Sequence, residues 1–249
     1  MGESFLGGGD LYIDRLTDAG VSTGFLKTGN ATKFEIKSES EIKEQTSKGR
    51  DTYGQVIATA NLPKPSTIKI TLNQLDPDSM AIAFLGDKAV LTVAGASVTD
   101  EAVTAKLDKF VKLANRNITA ESVVVTDSAG TTTYVEDDDY EIDYRLGMIK
   151  CLTGGDIADD ESLKVDYAYG AASGTTIEGA TQPLIKAKLL LDGKNYVNGK
   201  DVAVDVYYAE LKPSSAVDFL SDDFLPLELE GTLRTPDGYD HPFKVTNLD

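Results

Sequence analysis

The sequence predicts a mainly β fold with one or two short helices and a small inserted β-sandwich domain. Three observations support this. Runs of residues alternate between apolar and polar side chains with a period of two, which is typical of strands with one solvated face. Turn-forming residues separate these runs. The composition, with 22 Gly, 11 Tyr and no Trp among 249 residues, suits strands and turns, and 41% hydrophobic residues can build a sizeable core.

The first strands are predicted directly from this alternation. Residues 1–9 are small and Gly-rich and are expected to be mobile. Residues 10–16 form the first strand and 18–24 a turn-rich loop. Residues 32–43 alternate clearly, with Phe34 and Ile36 on one face and lysine and glutamate on the other. This pattern predicts one long strand whose outer side meets solvent.

A long polar loop is expected at 44–52, because this stretch has no period and no apolar residue. Its charged members are Glu44, Lys48, Arg50 and Asp51. The next two runs, 53–62 and 67–72, both alternate. Pro63 and Pro65 lie between them and favour a turn, since proline cannot donate to a ladder. We therefore expect these two runs to pair as an antiparallel hairpin.

The period then changes to that of a helix at 76–85. Asp76 suits the N-cap, Pro77 the first helical position, and Gly86 the end. A strand at 90–94 follows. Later in the chain, 184–192 and 202–211 read as strands, 215–220 as a second short helix opened by a capping box, and 226–234 and 242–245 as closing strands.

Residues 117–171 read as a separate β module inserted into a core domain made of 1–116 and 172–249. Short strands and Gly-containing turns recur there at the spacing of a small sandwich. The module holds 13 acidic and 3 basic residues. So dense a charge is unfavourable at a packed contact, and the module is therefore expected to project outwards.

Charge and composition exclude several classes of function. The net charge of −17 argues against binding of nucleic acid through its phosphates, which needs clustered Lys and Arg. The single cysteine, Cys151, rules out an internal disulfide framework, and its apolar strand context predicts a buried side chain. No secretory signal and no apolar stretch of transmembrane length is evident, so we expect synthesis and assembly in a cytoplasm.

Motifs for catalysis or metal binding are weak. His241 is the only histidine, so a Ser-His-Asp triad would have to use this residue in a turn-rich segment. The acidic runs 136–139 and 159–161 could in principle hold Ca²⁺, but they lack the register of a calcium loop. Carboxylate pairs for glycoside hydrolysis exist by number alone, and nothing distinguishes one of them. We expect no enzyme activity, no cofactor and no metal.

The order of parts is similar to that of a known family. The most telling segments are YGQVIATANLPKP at 53–65, IKITLN at 68–73 and DPDSMAIAFL at 76–85. With the polar loop before them and the inserted module after them, they resemble the tail tube (major tail) proteins of long, non-contractile-tailed bacteriophages. The inserted module, with TYV at 133–135, YEIDY at 140–144 and GMI at 147–149, resembles the Ig-like sandwich modules that decorate phage tail proteins.

The resemblance implies a tail-tube β-sandwich or barrel and a structural role in the virion tail. Six copies would form a ring whose hairpins join into an inner β-barrel, and stacked rings would form the conduit for genome ejection. It implies contacts with tail initiator, tape-measure and tail terminator proteins, and DNA that passes without specific binding. The loop at 44–52 would reach an adjacent ring. The candidate lumen-facing residues are Gln55, Thr59, Asn61, Lys69, Thr71, Asn73 and Asp205.

Two alternatives remain open. The inserted module alone would suit an adhesin-like or capsid-decorating β-sandwich protein of a secreted type. A glycan hydrolase of a phage tail is the enzymatic alternative, and a turnover assay on bacterial polysaccharides would identify it. The short helix inside a core of loop and strands favours the tube.

Overall fold

The computed structural model describes residues 4–248, and in this part of the chain it contains nineteen β-strands and one α-helix. The predicted mainly β fold is confirmed. The elements are β1 Gly7–Arg15, β2 Leu26–Lys27, β3 Ala31–Lys37, β4 Ser40–Thr46, β5 Val56–Pro63, β6 Thr67–Leu72, α1 Pro77–Ala83, β7 Asp87–Val93, β8 Ala96–Thr104, β9 Phe110–Lys112, β10 Val124–Asp127, β11 Thr133–Tyr134, β12 Tyr140–Asp143, β13 Met148–Cys151, β14 Ser162–Tyr169, β15 Ala172–Glu178, β16 Ile185–Asn195, β17 Asp201–Pro213, β18 Leu227–Leu233 and β19 Phe243–Asn247.

The chain divides into two compact units, one made of Met1–Ala89 and Ile177–Asp249 and the other of Val90–Thr176. The division falls within β7 and β15, which pair with each other as a two-stranded ribbon. The predicted arrangement was an inserted module at 117–171. The second unit starts earlier because β8 and β9, which the sequence analysis did not predict, pair with β14 and β13.

The first unit is built on one antiparallel sheet in the order β2-β1-β16-β17-β18-β6-β3, with β19 pairing beside the first half of β17. The sheet curls, and β1 and β3 at its two sides come within 8 Å (Cα–Cα). Inward side chains form the core; its fully buried large members are Leu11, Ile68, Ile70, Leu72, Ile185, Leu189, Leu211 and Leu227.

Helix α1 covers part of this core, and its predicted start is confirmed. The Asp76 carboxylate accepts a hydrogen bond from the Ser79 backbone N–H at 2.7 Å, which satisfies one free donor of the first turn. Ala81, Ile82 and Ala83 are buried. A helix of two turns is marginal alone, so these tertiary contacts hold it.

The second unit is a sandwich of two sheets, β11-β10-β14-β8 and β12-β13-β9, around a core of its own. Cys151 is buried in this core, as the sequence indicated, and burial raises the pKa of its thiol. Two tyrosine hydroxyls at the edge donate to carboxylates: Tyr134 to Glu161 and Tyr144 to Glu136, both at 2.6 Å. Burial, together with the Glu136 carboxylate, raises the pKa of Tyr144 to about 12.

Three predictions about local structure were wrong. The single strand at 32–43 is two strands, β3 and β4, because the chain leaves the main sheet after Lys37. The predicted helix at 215–220 is an irregular segment instead, with a turn at 219–220. The mobile segment predicted at 1–9 includes Gly7–Gly9 of β1, which pair with Asn195–Gly193 of β16. Residues 1–3 of that prediction lie outside the described residues.

Candidate assembly surfaces

Strands β4 and β5 form a two-stranded arm, Ser40–Pro63, that pairs with no other described strand. Every residue of both strands is exposed. The exposed residues include large apolar side chains, with Tyr53 77%, Ile57 63% and Ile42 61% exposed. The predicted hairpin of 53–62 with 67–72 is therefore wrong: β5 pairs with β4, while β6 pairs with β3 and β18.

The local sequence explains how the arm begins and ends. The Lys64 N–H donates to the Glu39 carbonyl at 3.0 Å, which closes the base of the arm. Pro63 and Pro65 then prevent the pairing from continuing. At the tip, Gly54 has a φ of +84°, a conformation that favours glycine, and the Ser47 N–H donates to the Gln55 carbonyl at 2.7 Å.

An arm of this kind is poorly stabilised by itself. An isolated two-stranded hairpin is at best marginally stable in water, and an open strand edge offers free donors and acceptors to another chain. Exposed apolar side chains on both faces add to the free-energy gain that a partner would bring. The arm is therefore the described element whose composition most favours contact with another molecule.

The arm contains two sets of residues that the sequence analysis had assigned to different roles. Glu44 lies in β4, and Lys48, Arg50 and Asp51 lie in the tip; these were the predicted inter-ring residues, and all are exposed. Of the predicted lumen residues, Gln55 precedes β5, and Thr59 and Asn61 lie within it, also exposed. The loop predicted at 44–52 is therefore wrong in part: residues 44–46 belong to β4, and 47–52 lie in the tip between β4 and β5.

The remaining lumen candidates lie on the main sheet, but not together. Lys69 and Thr71 are on the outer face of β6, and Asn73 follows that strand, where its side chain accepts a hydrogen bond from Asn30 at 2.8 Å. Asp205 lies on the first half of β17, opposite Leu190 and Lys244. Asp205 is therefore outside the group formed by Lys69 and Thr71.

The outer face of β3, β6, β18 and β17 carries a ladder of alternating charge. The register places Glu35 opposite Lys69, Lys69 opposite Glu230, and Glu230 opposite Lys212. One of these neighbours forms an ion pair, with Lys212 Nζ 3.1 Å from Glu230 Oε1. We call this set the charge ladder. Cross-strand pairs of opposite sign stabilise a sheet modestly, and salt screens exposed pairs.

Flanking ion pairs extend the charge ladder. Lys33 contacts Glu35 at 2.8 Å, and Arg234 contacts Glu210 at 2.9 Å. The hydrogen bond from Lys33 lowers the pKa of Glu35 and keeps that carboxylate ionised. The glutamates of β18 were not among the predicted site residues, although the alternation of leucine and glutamate at the start of Leu227–Leu233 could have revealed them.

No arrangement of side chains typical of a catalytic or metal-binding site is evident among residues 4–248. Within this range no group of three or more His, Cys, Asp or Glu side chains is arranged to hold a metal ion. His241 is exposed and packs against the ring of Tyr207 with centroids 5.6 Å apart. No helix in the described part of the chain has the length and apolarity to cross a membrane. The surfaces described above offer contacts for another macromolecule.

A family model matches most of the chain. The model of a family described as "Protein of unknown function UCP028589" matches residues 4–236. No curated protein matches the chain.

Proposed function

We propose that this protein, which belongs to the family UCP028589, is a structural subunit of a phage tail. Copies of it would assemble with one another into the tail tube. The observation that carries the proposal is the arm, an exposed pair of strands with apolar side chains on both faces that pairs with no other described strand. If the arm of each copy contacts the next copy in the same way, the repeated contact builds a ring or a polymer from one kind of chain.

The charge ladder supports the same role. A tube that conducts DNA needs a wall that neither binds the phosphates nor strongly repels them. In the charge ladder each exposed lysine lies next to a glutamate, so the face carries little net charge despite the overall value of −17. We propose that this face, with Lys69 and Thr71, lines the conduit, and that the arm contacts a neighbouring copy.

The partners follow from this role. Rings of six copies, stacked along the tail, would begin on a tail initiator protein, surround a tape-measure protein and end at a tail terminator protein. The protein would be made and assembled in the host cytoplasm and would reside in the virion tail. No enzyme activity or cofactor forms part of the proposal.

An adhesin-like or capsid-decorating role is the alternative, and one observation favours it. The unit Val90–Thr176 has its own core, and its strands form a sandwich that could fold and bind independently. That role does not account for the arm, which belongs to the other unit.

Electron microscopy tests the proposal. We expect the purified full-length protein, in negative stain over a concentration series, to form hollow tubes or six-fold rings. Antibodies raised against the protein should label the tail shaft of the parent virus along its whole length. Labelling restricted to the capsid or the tail tip would contradict the tube role, and capsid labelling would support the decorating role.

A further inference from the structure

A groove of about 610 Å³ lies in the first unit, where its sheet is incompletely closed. Backbone of the β1 glycines and residues of β3, β16, β17 and β19 line it. Phe34, Leu191 and Phe243 among them are only partly buried although they pack on the core. The volume lies in the range of sites that bind several apolar groups. The groove is therefore a part of the core that residues 4–248 leave uncovered.

Two open strand edges flank this groove. Among the described strands, β3 pairs only with β6, and β19 pairs only with β17, so each has one edge without a ladder partner. Residues of both strands line the groove, including Ile36 and Val245. An extended segment lying there would meet free backbone donors and acceptors as well as apolar side chains.

The connection between β17 and β18 complements the groove, because it projects apolar side chains into solvent. Leu220 is 92% and Phe224 97% exposed. The segment is anchored at its start, where Phe219 stacks on Phe84 with centroids 5.8 Å apart. Hydrogen bonds from the Leu220 and Ser221 N–H groups to Asp218 shape its turn. We call residues 218–224 the docking segment.

The charges of the groove and the docking segment are complementary. Among the described residues that line the groove are Lys33 and Lys194, and no Asp or Glu. Lys33 already contacts Glu35 at 2.8 Å, so Lys194 is the cation that the groove offers. The docking segment contains Asp218, Asp222 and Asp223 and no basic residue. Its exposed leucine and phenylalanine match the apolar floor, and its aspartates match Lys194. In its own chain the segment leaves these side chains in solvent, so the groove would take the segment of another copy.

We propose that the docking segment of one copy inserts into the groove of a second copy. The two surfaces differ, so the contact is heterologous, and its repetition produces a closed ring or an open stack instead of a dimer. The proposal rests on the proposed function, for which it identifies one subunit interface. It is distinct from the arm, which contains neither the segment nor a residue that lines the groove.

Cysteine cross-linking between two differently substituted proteins tests the contact. One full-length protein carries Phe224→Cys and the other Val245→Cys; the native Cys151 is buried, and wild-type protein measures its background. Under mild oxidation we expect the mixture to form at least about tenfold more disulfide-linked dimer than either protein alone, because only the mixture can place both thiols at one contact. Equal yields in the mixture and in the separate samples would overturn the proposal.

A matched control and a charge exchange sharpen the test. Val135→Cys, at a position 56% exposed in the other unit, replaces Val245→Cys and should give only background cross-linking with Phe224→Cys. Added to both cross-linking proteins, Lys194→Glu should lower the yield several-fold, and adding Asp223→Lys as well should restore it. A yield that Lys194→Glu leaves unchanged would contradict the complementarity.

The outcomes separate this proposal from the proposed function. Tubes in the electron microscope without cross-linking between positions 224 and 245 would refute the docking contact and leave the tube role standing. Cross-linking together with antibody labelling confined to the capsid would support the contact and refute the tube role.

Discussion

The clearest single-residue determinant of the first unit is Asp14, a carboxylate that is fully buried. It accepts hydrogen bonds from the Ser22 hydroxyl at 2.6 Å and from the Thr23 and Gly24 N–H groups, both at 2.9 Å. A buried charge is tolerated only where such donors replace water. These bonds tie the loop after β1 to the strand.

Replacing Asp14 with alanine should therefore destabilise the protein. The substitution leaves two backbone N–H groups without an acceptor, and we expect a loss of about 2–3 kcal/mol in the free energy of unfolding. Urea denaturation followed by circular dichroism measures it. Asp18→Ala, at an exposed position in the loop after β1, is the control and should change stability little; equal effects of the two substitutions would refute this role of Asp14.

In the second unit, Asp139 is likewise a buried carboxylate that accepts hydrogen bonds from backbone N–H groups. Its carboxylate accepts hydrogen bonds from the Asp156 N–H at 2.7 Å and the Val135 N–H at 2.8 Å. These bonds, in that order of importance, lower the pKa of Asp139 below its ordinary value. Because the folded pKa is depressed, the resulting stabilisation is present above the ordinary aspartate pKa and is lost as the pH falls through the folded value.

Asp139→Asn should consequently reduce stability at neutral pH and have a much smaller effect in strong acid. The amide can accept one of the two hydrogen bonds but carries no charge, so the difference from wild type should shrink as the pH drops below about 4. Thermal unfolding at a series of pH values checks this. Asp138→Asn, at the exposed neighbouring position, should show no such convergence, and a pH-independent difference for Asp139→Asn would contradict the assignment.

At the scale of elements, the arm shows how pairing depends on more than local pattern. Both β4 and β6 are chemically acceptable partners for β5, since all three alternate. The core decides between them: Ile68, Ile70 and Leu72 are buried only if β6 lies between β3 and β18. This placement leaves β5 to pair with the preceding strand outside the sheet.

Shortening the arm should separate folding from assembly. Thr46 and Val56 face each other in the register, so residues 47–55 can be replaced by Asn-Gly, which suits a two-residue hairpin loop. We expect the free energy of unfolding to change by less than about 1 kcal/mol, because the removed residues are almost all exposed. Tubes or rings should no longer form.

Electron microscopy and chemical denaturation of this variant provide the two measurements. Ala129→Asn, in an exposed turn of the other unit, is the control and should assemble as wild type does. Normal tubes from the shortened arm would rule out a role for its tip in assembly.

At the scale of the whole molecule, two hydrophobic cores that share no residue hold the two units. The paired strands β7 and β15 bring both ends of the second unit to one ribbon. A domain inserted in this way can be removed without cutting the core of its host. The chain is therefore organised as a host unit with an independent insertion.

We expect a variant in which a short Gly-Ser loop replaces residues 90–176 to fold and still to assemble, since the arm and the charge ladder both lie in the first unit. Residues 90–176 expressed alone should also unfold cooperatively. Circular dichroism measures the folding of both pieces, and electron microscopy measures the assembly of the variant that lacks residues 90–176. Failure of either piece to fold would show that the cores depend on each other.

The sequence by itself determined the fold class and the Asp76 cap of a helix predicted at 76–85, because caps and period-two patterns are local properties of the chain. It also indicated a discontinuous host with an acidic insertion. It also indicated that Cys151 is buried. Only the tertiary structure decided which strands pair, where the insertion begins, and that Glu230 and Lys212 join Lys69 on one face. Those features depend on contacts between residues far apart in the chain, which alternation alone does not specify. The same holds for the groove, since its lining comes from five strands that only the folded sheet brings together.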